Sequence, residues 1–374
     1  MRYILTFVLA FLLSGAAVQA QVIDQNIIKV VPHYLDEMSD VDFLARTQPL
    51  KETPMGDRFL SYEVRLPLGW AKAEDSDREV SSSKSGLSSR LLGNVTRFYG
   101  PTRIDAVDIF QIEAMTLDYE LSVRNWFLNY VFTRGYTLQG MEEIGEQAIE
   151  AQYVTLIKDT AYVFRVRAYA NGPRVLVISY AVPEQHWERE RGIQERVIRS
   201  FRFLSPEKIL AEHVRTYPFL DLLRFDYPSS WRLIAPNIYS IEGMDAKVVS
   251  TADKKTVAGE IDVRVISTEL DTSLADEVKY LKEDIQERGL KVGKMIEVGE
   301  GYKFHDHILY DRVEIYEAKD ESRKIQDHEL WLAVMVEDRY FYIITMLTPG
   351  RASDFYTWAK NSEAFEIVTE SMRP

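Results

Sequence analysis

Two short segments of the chain repeat one pattern. Leu60-Ser61-Tyr62-Glu63-Val64-Arg65-Leu66-Pro67-Leu68-Gly69-Trp70 alternates apolar and polar residues and then reads Pro-x-x-Trp. Leu223-Arg224-Phe225-Asp226-Tyr227-Pro228-Ser229-Ser230-Trp231 does the same. A period of two predicts a strand with one buried face. Proline ends such a strand because it cannot donate to the ladder. A tryptophan three residues later can fold back over the sheet and bury a large apolar surface. Trp70 and Trp231 are therefore expected to anchor two cores rather than to face a ligand. A pattern stated twice calls for a duplicated domain.

The order of elements after each copy agrees. In the first half, Leu117 to Thr133 is predicted helical, with Leu121, Val123, Trp126, Phe127, Tyr130 and Val131 sharing one broad face. Gly135 stands where a C-cap glycine belongs. Three strands are expected over 147–156, 160–170 and 174–181, and Pro183 opens a last helix. In the second half Leu274, Val278, Leu281 and Ile285 mark the helix and Gly289 its stop. Strands over 305–318, 328–336 and 340–347 follow, then Pro349-Gly350 and a helix carrying Phe355, Trp358 and Ala359 inward. The paired landmarks lie 161 (Trp70, Trp231), 154 (Gly135, Gly289) and 166 (Pro183, Pro349) residues apart. Loops absorb such drift. The expected division is a signal peptide at 1–20, an N-terminal extension at 21–57, and domains at 58–206 and 216–374. Tyr34 to Arg46 in the extension is helix-like and is expected to pack on the first domain.

The signal peptide rests on Arg2, an apolar run from Tyr3 to Leu13 that is short for a membrane span, and small residues at Val18-Gln19-Ala20. With it, the chain is expected to be exported, to the periplasm or the extracellular space, with no integral membrane span after cleavage. The chain has no cysteine, so neither disulfides nor a lipidated cysteine is available, and apolar cores must hold it together. Its 21 Tyr, 17 Phe and 6 Trp suffice for two. Net charge is −13, and −14 once Arg2 is removed. That balance opposes nucleic acid and anionic membrane surfaces.

Phe225-Asp226-Tyr227-Pro228-Ser229-Ser230-Trp231, and more loosely Val64-Arg65-Leu66-Pro67-Leu68-Gly69-Trp70, resemble the opening strand of the PsbP-like superfamily. The strand pair, helix, three-strand run and final helix that follow fit its order in both halves. The resemblance implies an α+β fold: two tandem α/β/α sandwich domains, each a twisted antiparallel sheet flanked by helices. It also implies accessory or partner-binding work rather than catalysis.

The sharpest chemical cluster is His305-Asp306-His307 on an expected strand, where residues two apart share a face. With His328 it would offer three imidazoles for zinc or copper, without an obvious fourth ligand. The Gly-x-Ser-x-Gly elbow, the phosphate loop and the dinucleotide fingerprint are absent from the sequence. The serine-rich stretch 81–89 reads as a loop, and Glu142-Glu143 and Glu188/Glu190 read as solvated charge. The expectation is an exported, non-enzymatic binding or accessory protein without a cofactor, which recognises an unidentified protein partner. Two alternatives stand beside it: a metal-binding protein using His305, His307 and His328, and a hydrolase with a cleft between the domains.

Overall fold

The computed structural model describes residues 28–373 except 57, 74–89, 104–105, 118, 146, 172, 206–210, 220–222, 241–242, 253–255, 271, 300–309, 321–326 and 338. The expected signal peptide, the serine-rich stretch and both His305 and His307 lie outside the described residues.

Helix α1 (Asp40–Arg46) leads into β1 (Thr47–Glu52), β2 (Tyr62–Pro67), β3 (Ala71–Lys72), β4 (Arg90–Arg103) and β5 (Ala106–Thr116). Then come α2 (Val123–Thr133), β6 (Thr137–Gly145), β7 (Ala148–Ile157), β8 (Thr160–Asn171), β9 (Arg174–Pro183), α3 (Glu184–Arg199) and β10 (Arg202–Phe203). The second half holds β11 (Val214–Phe219), β12 (Leu223–Pro228), β13 (Arg232–Ser240), β14 (Gly243–Thr251), β15 (Val257–Ser267), α4 (Leu274–Glu287) and β16 (Leu290–Gly299). It closes with β17 (Tyr310–Asp320), β18 (Asp327–Val336), β19 (Tyr340–Pro349) and α5 (Phe355–Glu370).

Each half builds one seven-stranded antiparallel sheet. The orders are β3-β4-β5-β9-β8-β7-β6 and β13-β14-β15-β19-β18-β17-β16. They are the same order, strand for strand. Each half also has a small antiparallel layer, β1-β2-β10 in the first and β11-β12 in the second. β2 ends at Pro67 and β12 at Pro228, as proline requires. The strand β1 falls within the expected extension, and β11 starts two residues before the expected second domain.

Both halves are α/β/α sandwiches. In the first, alternate residues of β9 divide between two faces: Val175, Val177 and Ala181 face α2, while Leu176, Ile178, Tyr180 and Val182 face α3 and β2. In the second, α4 covers one face through Leu281 and Ile285, and α5 with β12 covers the other through Trp358, Phe365 and Phe225. Local chemistry sets the helix ends. Ser122, Ser273 and Asp354 accept from the amides of Asn125, Asp276 and Thr357, satisfying amides that open a helix. Gly135 (φ 68°) and Gly289 (φ 87°) take the left-handed conformation that stops α2 and α4.

The helix α2 begins at Val123, six residues later than the expected Leu117, because Ser122 is its cap. Its burial also extends past one face: Leu128 and Asn129 are buried with Trp126, Phe127, Tyr130 and Val131. The reason is that α2 lies between its own sheet and α5 of the other half. The α2 face of the first sheet and the α5 face of the second form one continuous apolar core.

The segment before β1 packs on the first domain, as expected. Tyr34 meets Trp187 of α3 edge-on at 5.4 Å, and Phe43 is buried. Arg191 of α3 bonds Glu37, and Arg196 pairs with Asp40.

Candidate functional site

Three charged residues interrupt the apolar interior of domain one. Arg165 of β8, Glu150 of β7 and Glu195 of α3 are each at most 1% exposed. Arg165 Nε donates to Glu150 at 2.8 Å, and its terminal nitrogen lies 3.2 Å from Glu195. Arg167 donates two bonds to the second Glu150 oxygen, at 2.9 and 2.8 Å. Arg199 reaches Glu150 at 3.3 Å, Glu195 at 3.1 Å and Glu142 at 3.6 Å. Burial opposes ionisation of Glu150, but Arg165 and Arg167 outweigh it and hold its carboxyl below the usual range.

The N-terminal segment closes this network. His33 Nε2 lies 3.3 Å from Glu142, and its Nδ1 lies 3.0 Å from Glu195 and 2.9 Å from Arg199. The backbone N–H of Tyr34 donates to Glu195, and Arg165 donates to the carbonyl of Pro32 at 2.5 Å. Lys29 O accepts from the amide of Met141 on β6 at 2.9 Å, and Val31 is 1% exposed. Gly140 makes this approach possible. A Cβ there would sit 2.8 Å from both Val30 O and Val31 Cα. An extended piece of the chain thus covers the outer edge of β6, the end strand of its sheet.

His33, Glu142 and Glu150 place ligand atoms within 4.8 Å of one another, so a cation has to be considered. The donor set does not fit one. Arg165 and Arg199 lie 3.3 and 2.9 Å from His33 Nδ1, and the same guanidinium groups occupy Glu150. Three guanidinium groups already balance three carboxylates, and an added cation would meet their repulsion. The network holds the N-terminal segment on the domain. Glu142, read from the sequence as solvated charge, belongs to it.

Domain two keeps a different polar cluster near the matching place. Glu329 accepts from Arg351 Nε at 2.8 Å, from Trp331 Nε1 at 3.1 Å and from Trp358 Nε1 at 2.9 Å. His328 is half-buried beside it at the start of β18, paired in register with Ala318 and Pro349. His305 and His307 lie outside the described residues, so the expected imidazole set is represented by His328 alone.

The edge strand β16 occupies in domain two the place of β6. Among the described residues, β17 is its only strand partner. Met295, Ile296 and Val298 on it are 46, 45 and 49% exposed. Lys291 and Lys294 are exposed beside them.

Carboxylates gather where the domains meet. Glu363 and Glu366 of α5 are largely enclosed; burial, with Glu120 beside the first and Glu363 beside the second, pushes them up to about 7 and about 8. Burial also raises Glu120 and Glu212. Lys360 stands over the Tyr119 ring at 4.2 Å, and burial lowers its pKa.

No family model matches the chain, and no curated protein does. Among solved structures, it is similar to a cyanobacterial PsbP from Synechocystis sp. PCC 6803. The identity is 16% and the TM-score 0.30, with 42% of this chain and 93% of that one covered. It is also similar to a chain of the Tle4-Tli4 complex, at 10% identity and TM-score 0.23, with 83% of this chain and 94% of that one covered. Such scores carry no argument about function. No described helix is long and apolar enough to cross a membrane.

Proposed function

We propose that the chain is an exported, non-enzymatic accessory protein that works by recognising another protein. The observation that carries this reading is the apolar strip Met295, Ile296 and Val298 on the outer strand of domain two. Apolar side chains grouped on a sheet edge mark an interaction surface more often than singly scattered ones do. Export rests on the N-terminal sequence pattern. The acidic net charge of −13 favours a partner with a neutral or basic surface overall.

The test uses the full chain after its N-terminal 20 residues, because a lone domain would expose the shared core. Affinity capture with cross-linking from envelope extracts of the source should return one partner. That partner, once purified, should bind saturably at a fixed stoichiometry. No such partner, together with turnover of any ester, peptide, phosphate or glycoside by the purified chain, would replace this reading with an enzymatic one.

A further inference from the structure

The two end strands β6 and β16 occupy the same position in equivalent sheets, and among the described residues only β6 is covered by another part of the chain. Along β6 the cover is the extended stretch 28–33, with the Met141–Lys29 backbone bond and buried Val31. Both strands carry glycine as their fourth residue, Gly140 and Gly293. At Gly140 the missing side chain admits the covering backbone. At Gly293 a Cβ would meet Glu317 of β17 at 3.2 Å, and the strand is irregular there, as β6 is around Gly140. The two strands thus share a glycine and a local irregularity, but Gly293 faces its own neighbour β17 where Gly140 faces the covering segment, and among the described residues no strand pairs with the outer edge of β16.

Resting on the protein-recognition reading, we infer that the outer edge of β16 receives an extended segment of a partner protein, with aliphatic residues at alternate positions and an acidic residue near Lys291 and Lys294. Strand addition of this kind takes its affinity from backbone hydrogen bonds and its specificity from alternate side chains. Met295, Ile296 and Val298 supply the apolar contacts. Charge decides the occupant. Lys291 and Lys294 gather positive charge in the first half of β16, and the exposed Glu297 beyond them bonds Arg351. An acidic residue of the incoming segment pairs with the lysines. Edge lysines are a known guard against self-association, and here they also select.

The probes are two synthetic peptides: residues 26–34 of this chain, and the same peptide with Lys29→Asp. Binding to the full chain is read by fluorescence anisotropy and located by hydrogen exchange. The aspartate peptide should bind more tightly than the parent, by about tenfold for one favourable charge contact of about 1.4 kcal/mol. It should slow exchange over 290–299 and not over 137–145. Ile296→Asp with Val298→Asp should weaken it at least tenfold, and a proline at its centre should abolish binding. Protection confined to 137–145, binding untouched by the double substitution, or dimerisation of the free chain through β16 in sedimentation would each overturn the inference. A captured partner that still binds the double variant would also overturn it, while leaving the recognition reading in place.

Discussion

The backbone N–H of Ser122, which opens α2 in domain one, donates to the carboxylate of Glu363 on α5 of domain two at 3.1 Å. One hydrogen bond thereby joins a helix start in the first half to a helix face in the second. A nearby bond repeats the theme, with Ala211 N–H donating to Glu120 at 2.6 Å.

This junction makes stability depend on pH. Glu363 and Glu366 are raised in the folded chain, from 4.5 to about 7 and about 8, so the folded state binds protons more tightly than the unfolded state. Their contribution is complete below 4.5 and is lost as pH rises through 7 and then 8. Glu120 and Glu370 face Glu363, Glu363 and Glu370 face Glu366, and the repulsion grows as each ionises. The melting temperature should fall between about pH 5 and about pH 8 by on the order of a few degrees and level off above that. Glu363→Gln with Glu366→Gln should flatten that fall, since glutamine keeps an acceptor for Ser122. A double variant with an unchanged pH profile would remove these carboxylates as the cause.

Removing one member of the buried charge network should be expensive. Arg165→Met leaves Glu150 and Glu195 with less counter-charge in the interior, at a cost of about 3–5 kcal/mol. Adding Glu150→Gln removes a charge that the first change stranded, so the pair should cost less than the sum of the two single losses. Denaturant unfolding of the four proteins measures this, and simple additivity would show that the two side chains act independently.

Gly140→Ala should loosen the N-terminal segment while leaving the sheet intact. The added methyl would lie 2.8 Å from Val30 O and Val31 Cα, and the covering segment is what can yield. Amide exchange should quicken at Met141 and Tyr34, whose N–H groups bond Lys29 and Glu195. Exchange across β8 and β9 should stay as it was. Equal protection of Met141 in both proteins would show that the segment tolerates the methyl.

The two repeated tryptophans should differ in weight. Trp231 is 5% exposed within the shared core, and its replacement by alanine should cost about 3–5 kcal/mol. Trp70 is half-buried, edge-on to Tyr180 at 5.0 Å, so its loss should cost clearly less. Unfolding curves of the two alanine variants rank them, and a costlier Trp70 would contradict the burial seen here.

Much of this architecture was readable before the structure. Pro67 and Pro228 close their strands for lack of a donor, and Gly135 and Gly289 stop helices by adopting positive φ, so each acts through its own backbone. The start of α2 was misplaced because Leu117 and Leu121 are buried in the same core and prolong the apolar pattern past the Ser122 cap. The charge network left a fainter trace, a charged residue inside each of two apolar strands, Arg165 and Glu150. Its partners lie 15 and 30 residues from Arg165, and only strand register and helix docking bring them together. His33 carried no sequence signal, since its role depends on where an extended segment comes to rest.

The contact between α2 and α5 joins unlike faces of two like domains. Such a head-to-tail joint has no built-in end; a third copy could stack on the second as the second stacks on the first. Neither outer end of the pair repeats the apolar face used at the joint. The helix α4, which holds in domain two the place of α2, exposes Lys279, Tyr280 and Glu283 where α2 buries Leu128 and Asn129. At the opposite end the charged outer side of α3 is overlaid by Tyr34 to Asp40. The outer ends of the two-domain stack therefore differ in chemistry from the apolar faces that meet between the domains.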